Sequence, residues 1–295
     1  MMTRSLRRHG FAPWFLALLA ASAAALNVAW AEDRPLDQPP AGADAPAKPD
    51  EKEPELEGDE LKAHKKRVRE LVDQLEDSKN RELVRGMIER MGSSATRAER
   101  DALMQFAATN KNHEFVSAAF VALAKMRHPK AIAFLCGDDA LRNKNFLVAH
   151  SAAEALGTSR NPAAAASILV VMRDRRTKIE VVGACALAAA KCGPTDEHVI
   201  YAVMEYSRHR KDTIRSNALE AVGHLGSDEA VARLTEAIVE DKLARARAAA
   251  ATGLGWTYRR EVIPTLEKAI REDSSLHVQK AASDAIKVIT DGKKH

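Results

Sequence analysis

Residues 148–172 read VAHSAAEALGTSRNPAAAASILVVM, and residues 214–238 read IRSNALEAVGHLGSDEAVARLTEAI. Aligned on Val148 and Ile214, both segments place a small residue four positions later (Ala152, Ala218), another three after that (Ala155, Ala221), and an aliphatic beside it (Leu156, Val222). The spacing i, i+4, i+7, i+8 is one stripe of an α-helix, and small residues in its middle let a second helix approach closely. Breaks follow at Ser159-Arg160-Asn161-Pro162 and Gly226-Ser227-Asp228, which stop one helix and cap the next. A second apolar set then resumes: Ala165, Ile168, Leu169 and Met172 in one segment, Val231, Leu234 and Ile238 in the other. Each segment predicts a pair of short antiparallel helices.

The same stripe opens at Phe115, Val148, Val181, Ile214, Ala246 and Val278, which lie 33, 33, 33, 32 and 32 residues apart. A unit of that length buries its apolar face only against its neighbours, so the period predicts a solenoid. Composition agrees: 46% of residues are hydrophobic but only 4% aromatic, so alanine and short aliphatics carry the packing. Toward the amino terminus Val84, Ile88 and Met91 form a degenerate stripe, and Thr96 with Glu99 makes a capping box. A charged helix from Leu61 to Asp77 is expected to cover the first unit, and Leu276–Thr290 supplies a first helix without a second.

The two quoted segments resemble the short bacterial HEAT-like repeats, including the type first named from phycobilin lyases. The resemblance covers residues 111–290 well and 80–110 loosely. It implies an all-α fold, a right-handed α-solenoid of stacked two-helix HEAT-like repeats over residues 61–295. Ankyrin repeats share the period, but their Thr-Pro-Leu-His signature is missing.

Residues 1–31 read as a signal peptide, with Arg4, Arg7 and Arg8 ahead of an apolar run and Ala29-Trp30-Ala31 as the cleavage signature. The alternative is a membrane anchor formed by residues 11–30. Residues 32–60 hold eleven acidic against three basic side chains, with repeated proline, and read as a disordered linker. The expected location is therefore periplasmic or secreted, or membrane-anchored if the N-terminal segment is retained. Residues 61–295 carry 39 basic and 30 acidic side chains, an excess that suits an anionic partner. Cys136, Cys185 and Cys192 make neither a disulfide framework nor a zinc pattern; Cys185 takes a small-residue stripe position, and the pairing of Cys136 stays open.

No HExxH, GxSxG, P-loop or Cys-x-x-Cys motif is present, so no enzymatic activity is expected. Deoxyhypusine hydroxylases, which are HEAT-like, hold two irons with His-Glu pairs on successive first helices. Here His150 is followed by Ser151, equivalent positions in other units hold Ser117-Ala118 and Ser216-Asn217, and His113-Glu114 is out of register. No cofactor or metal is expected, and no nucleic acid.

What recurs is charge at the unit junctions: Arg173, Arg175 and Arg176; Arg208, Arg210 and Lys211; Lys242, Arg245 and Arg247. Equivalent positions of a solenoid align, so these predict a basic ridge. The competing reading is that they complement helix C-termini and are diluted by Asp174, Asp212 and Asp241. A second candidate is Trp256, Tyr258 and Arg259, in a turn where other units place Gly, Pro, Ser and Asp. The expected function is a non-enzymatic protein-interaction scaffold with a protein partner of acidic character. Binding of an anionic polymer, or service as an accessory subunit of an enzyme, is the alternative.

Overall fold

The computed structural model describes residues 55–78 and 80–291, so the expected signal segment and most of the expected linker lie outside the described residues. In chain order the helices are α1 (Gly58–Asp77), α2 (Arg81–Ser94), α3 (Arg97–Thr109), α4 (His113–Met126) and α5 (Pro129–Leu135). They continue with α6 (Phe146–Ser159), α7 (Ala165–Arg173), α8 (Ile179–Cys192), α9 (Glu197–Tyr206) and α10 (Asp212–Val222). The last four are α11 (Asp228–Glu240), α12 (Ala244–Trp256), α13 (Ile263–Glu272) and α14 (Leu276–Asp291). Among the described residues there is no strand. The protein is an all-α stack of two-helix repeats.

The even-numbered helices α2 to α14 are the first helices of their units, except that α1 precedes them, and they pack side by side in series. The second helices α7, α11 and α13 nest largely against the first helix of the following unit, whereas α9 lies between α8 and α10 and the short α5 stays mainly on α4. The second helices barely touch one another. The alanine stripe therefore forms the spine of the stack. Ala119, Ala152, Cys185, Ala218, Ala250 and Ala282 are all fully buried. Close approach is the reason for their size: a Cβ on Gly157 would lie 3.1 Å from the Ala188 Cα, and one on Gly255 3.0 Å from the Ala285 Cα.

Five turns between the two helices of a unit use a left-handed residue after the first helix, Ala95, Arg127, Arg160 and Tyr258 at φ near +50° and Gly226 at +68°, whereas the α8–α9 turn has Gly193 at φ −141°. Asn161, Asp196 and Ser227 then cap the second helix by accepting from its first free amides. The capping box at Thr96 and Glu99 forms as the sequence predicts. At the amino-terminal end α1 buries Val68, Leu71, Val72 and Leu75 and packs on α3. It begins at Gly58, so the last three residues of the stretch expected as linker belong to the helix.

The three cysteines are free thiols. Burial pushes Cys185 and Cys192 up to about 12, and Cys192 donates to the Leu156 carbonyl at 3.3 Å. They are packing residues protected from thiolate chemistry.

Candidate interaction surface

The junction cations fall into two groups with different physical roles. Arg215, at the start of α10, donates from Nε to Asp241 at 2.8 Å and from Nη1 back to the His209 carbonyl at 2.8 Å. One unit later Arg247 repeats this, reaching Asp273 at 2.6 Å and the Asp241 carbonyl at 2.9 Å. Gln279 closes the series with a bond to the Asp273 carbonyl at 2.8 Å. The ladder ties each junction loop to the next through side-chain bonds to loop carbonyls and carboxylates. The hydrogen bond from Arg247 holds the Asp273 carboxyl below its ordinary range, and the same bond raises the Arg247 guanidinium. With their side chains only 15% and 8% exposed, this pair belongs to the frame.

Arg259 is likewise engaged. It donates to the Gly226 carbonyl at 2.7 Å and to Asp228 and Glu261, fastening the turn of one unit to that of the unit before. Trp256 stacks on His224 with ring centroids 5.3 Å apart, and Tyr258 meets Trp256 edge-on at 6.4 Å. Tyr258 occupies the left-handed position that Gly226 takes one unit earlier. The aromatic turn is thus packed against its neighbour, with Tyr258 still 40% exposed.

The second group stays open to solvent: Arg173, Arg175, Arg176, Arg208, Arg210, Lys211, Lys242 and Arg245. Arg176 pairs with Asp174 at 3.1 Å and Arg208 with Glu236 at 3.3 Å, both near the surface, where such pairs contribute little. Arg142, Lys144 and Lys178 are exposed too, and with Arg176 they rim a groove of about 630 Å³.

Sequence reasoning missed a polar cluster on the first-helix layer. Lys191 at the end of α8, Glu220 on α10, and His224 just beyond it are all half-buried. Burial pushes the Lys191 ammonium down and the Glu220 carboxyl up, each effect moderated by the other's charge. Burial also pushes His224 down to about 4, with Lys191 and Arg160 adding to it. Its Nε2 and the Trp256 Nε1 are buried with no hydrogen-bond partner among the described residues. The members come from successive units, Lys191 from one, Glu220 and His224 from the next and Trp256 from the one after, so no linear motif announces the cluster beyond the i, i+4 pair Glu220 and His224.

A folded pKa below the ordinary 6.5 means that the unfolded chain binds more protons. Stability from neutral His224 is therefore complete above pH 6.5 and lost as pH falls toward 4. The loss is expected to reach no more than about 3 kcal/mol. Urea titrations at pH 7 and pH 4.5 should show a larger drop for the parent chain than for His224→Phe, which keeps the ring stack. The charged neighbours Glu220, Lys191, Glu154 and Arg160 are present in both proteins, so the difference isolates the imidazole. Parallel losses would refute the assignment.

His113 Nε2 donates to the Leu147 carbonyl at 2.9 Å and lies 3.1 Å from Ser151 Oγ, joining α4 to α6, and His150 faces Glu154 at 3.5 Å. Among the described residues no group of three or more His, Cys, Asp or Glu is placed to hold a metal ion. No helix among them is long and apolar enough to cross a membrane.

No curated protein sequence matches the chain. Among solved structures, human deoxyhypusine hydroxylase in complex with glycerol aligns at 17% identity over 78% of this chain and 98% of its own, with a TM-score of 0.38. The complex of CpcE and CpcF of phycocyanin lyase from Nostoc sp. PCC7120 aligns at 17% identity over 82% of this chain and 97% of its own, TM-score 0.48. At those values neither likeness bears on activity. Residues 200–287, from α9 to α14, match the family described as HEAT repeats.

Proposed function

We propose that this chain is a non-enzymatic binding scaffold that engages an acidic protein partner through the exposed cations at its unit junctions. The observation that supports it is the division of labour among those cations. Arg215, Arg247 and Arg259 are used up in fastening units together, whereas Arg173, Arg175, Arg210 and Lys242 are exposed and make no ion pair among the described residues. Dipole compensation accounts for one or two cations per helix end, but not for a run at each of three successive junctions. An edge of this kind recognises anionic surface by additive, salt-sensitive contacts.

Labelled poly-L-glutamate is the probe. Replacing Arg175, Arg176, Arg208 and Arg210 by Ser should weaken its binding about tenfold or more, flatten the salt dependence, and leave helicity unchanged. A control replacing Lys62, Lys65, Lys66 and Arg67 on α1 removes the same charge and should bind as the parent does. Equal loss in both proteins would mean that net charge drives association. Tighter retention of a sulfated polysaccharide than of poly-L-glutamate would move the reading to an anionic polymer.

The scaffold is proposed to work outside the cytoplasm, on the strength of the basic, apolar and small-residue segments of residues 1–31. The mature chain is then expected to begin near Glu32, which N-terminal sequencing of native protein would read directly. An intact Met1 in the membrane fraction would instead establish the anchor.

A further inference from the structure

Two exposed large apolar side chains, Phe146 at 41% and Val170 at 61%, line the same groove. The groove exists because one unit departs from the repeat. Its second helix, α5, has only seven residues, and the connector that follows runs from 136 to 145, where the other junctions use three to five. The short helix and long connector open a cleft between Arg142 and Lys144 on the connector, the end of α7, and the start of α8. Leu141, Ala149 and Val181 continue the apolar floor.

We propose that this groove docks an extended acidic peptide segment of a partner protein, with one bulky apolar side chain seated against Phe146 and Val170. The inference rests on the scaffold reading and gives it a specific site. Charge complementarity names the occupant: Arg142, Lys144, Arg176 and Lys178 stand on the rim against one carboxylate, Asp174, which Arg176 already engages at 3.1 Å. Lys178 precedes α8 without capping it, so the first amides of that helix add to the positive field over the groove. The apolar floor requires more than charge. An anionic polymer without apolar side chains would leave Phe146 and Val170 wet, whereas a peptide covers them with its anchor and lays its carboxylates on the rim. A volume of about 630 Å³ is ample for one large side chain and the flanking backbone.

The test uses the full chain and a fluorescein-labelled peptide of about twelve residues, alternating Glu and Ser around a central Leu, read by anisotropy. Replacing the peptide's Leu by Ser should weaken binding about fivefold to tenfold. Val170→Asp should weaken the parent peptide at least tenfold and abolish the difference between the two peptides. Lys144→Glu with Lys178→Glu should also weaken both peptides at least tenfold. Val239→Asp, at a residue 60% exposed on α11, should leave binding unchanged. Thermal midpoints equal to the parent's show that each variant is folded, as substitution of exposed side chains predicts. Absence of peptide binding, equal affinity for the Leu and Ser peptides, or indifference to Val170→Asp would overturn the groove assignment. Loss of poly-L-glutamate binding in the ridge variant would still stand in those cases, so the two readings fail separately. A thymidine oligomer of about twelve nucleotides that displaces the peptide and binds Val170→Asp undiminished would also overturn it, in favour of simple anion binding.

Discussion

Gly223→Ala is expected to lower the stability of the repeat stack by about 3 kcal/mol or more, read as a shift of the urea midpoint at unchanged m-value. Gly223 follows the last residue of α10, where that helix crosses α12. A Cβ there would stand 2.2 Å from the Gly253 carbonyl oxygen and 2.7 Å from its Cα. Those are backbone atoms of the neighbouring helix, so no rotamer change relieves the clash; the two helices must separate. Overpacking of this kind typically costs about 1–3 kcal/mol, and the rigid obstacle puts this case at the upper end. Because adjoining units share the interface, the loss should extend past one repeat. Gly86→Ala is the contrasting case. Gly86 lies inside α2 with nothing within 4 Å of its missing Cβ, so alanine should stabilise there by about 0.5–1 kcal/mol through helix propensity. A Gly223→Ala protein as stable as the parent would show that α10 and α12 do not meet at this point.

The period of the stack was legible because every unit buries its stripe in the same way, and Ala152, Ala218 and Ala250 need only be small to reveal it. Gly223 was not legible: it lies outside the stripe, and only the crossing of two helices gives it a role. Arg247 shows a different limit. Its recurrence with the repeat suggested an open ridge, while the side chain turns inward to Asp273, 26 residues away, as Arg215 turns to Asp241. Two equal spacings of Arg and Asp were present in the sequence, but charge patterning alone does not say which cations are clamped. Tyr258 stood out because an aromatic is unusual in that turn; the sequence does not show that it takes a left-handed backbone and meets Trp256 edge-on while staying 40% exposed. The groove at Phe146 depends on a shortened helix, which periodicity averages away.

The two kinds of junction cation divide between cohesion and solvent. A solenoid relies on each interface between units, so Arg215 and Arg247 are spent on tying one junction loop to the next. At the junctions that carry a ladder arginine, the exposed cations stand on the turn just before Arg215 or Arg247; at the α7–α8 junction, which has no ladder arginine, Arg173, Arg175, Arg176 and Lys178 are all exposed.

Arg233→Met should cost about 2–4 kcal/mol, because it removes a buried guanidinium that completes another helix's end. Arg233, on α11, is 6% exposed and donates from Nε to Ser207 Oγ at 3.1 Å and from Nη2 to the Ser207 carbonyl at 2.7 Å. Ser207 is the residue that ends α9 and is fully buried, so its carbonyl has no water to fall back on. Burial lowers the Arg233 pKa, an effect that Glu236 at 3.3 Å partly offsets. Methionine keeps most of the aliphatic stem and the packing, so the loss reports chiefly the unsatisfied Ser207 carbonyl; the Ser207 hydroxyl still donates to the Met204 carbonyl at 2.7 Å. Glu236→Gln, at a side chain 46% exposed, should cost under about 1 kcal/mol. Ser207→Ala should cost about 1 kcal/mol, and the double variant with Arg233→Met less than the sum of the two, since both remove one shared bond. Hydrogen exchange should locate the damage at the end of α9 and in α11. A loss under about 1 kcal/mol for Arg233→Met, or strict additivity with Ser207→Ala, would mean that the guanidinium does not hold α9 to α11 and that apolar contacts alone set the register of these units.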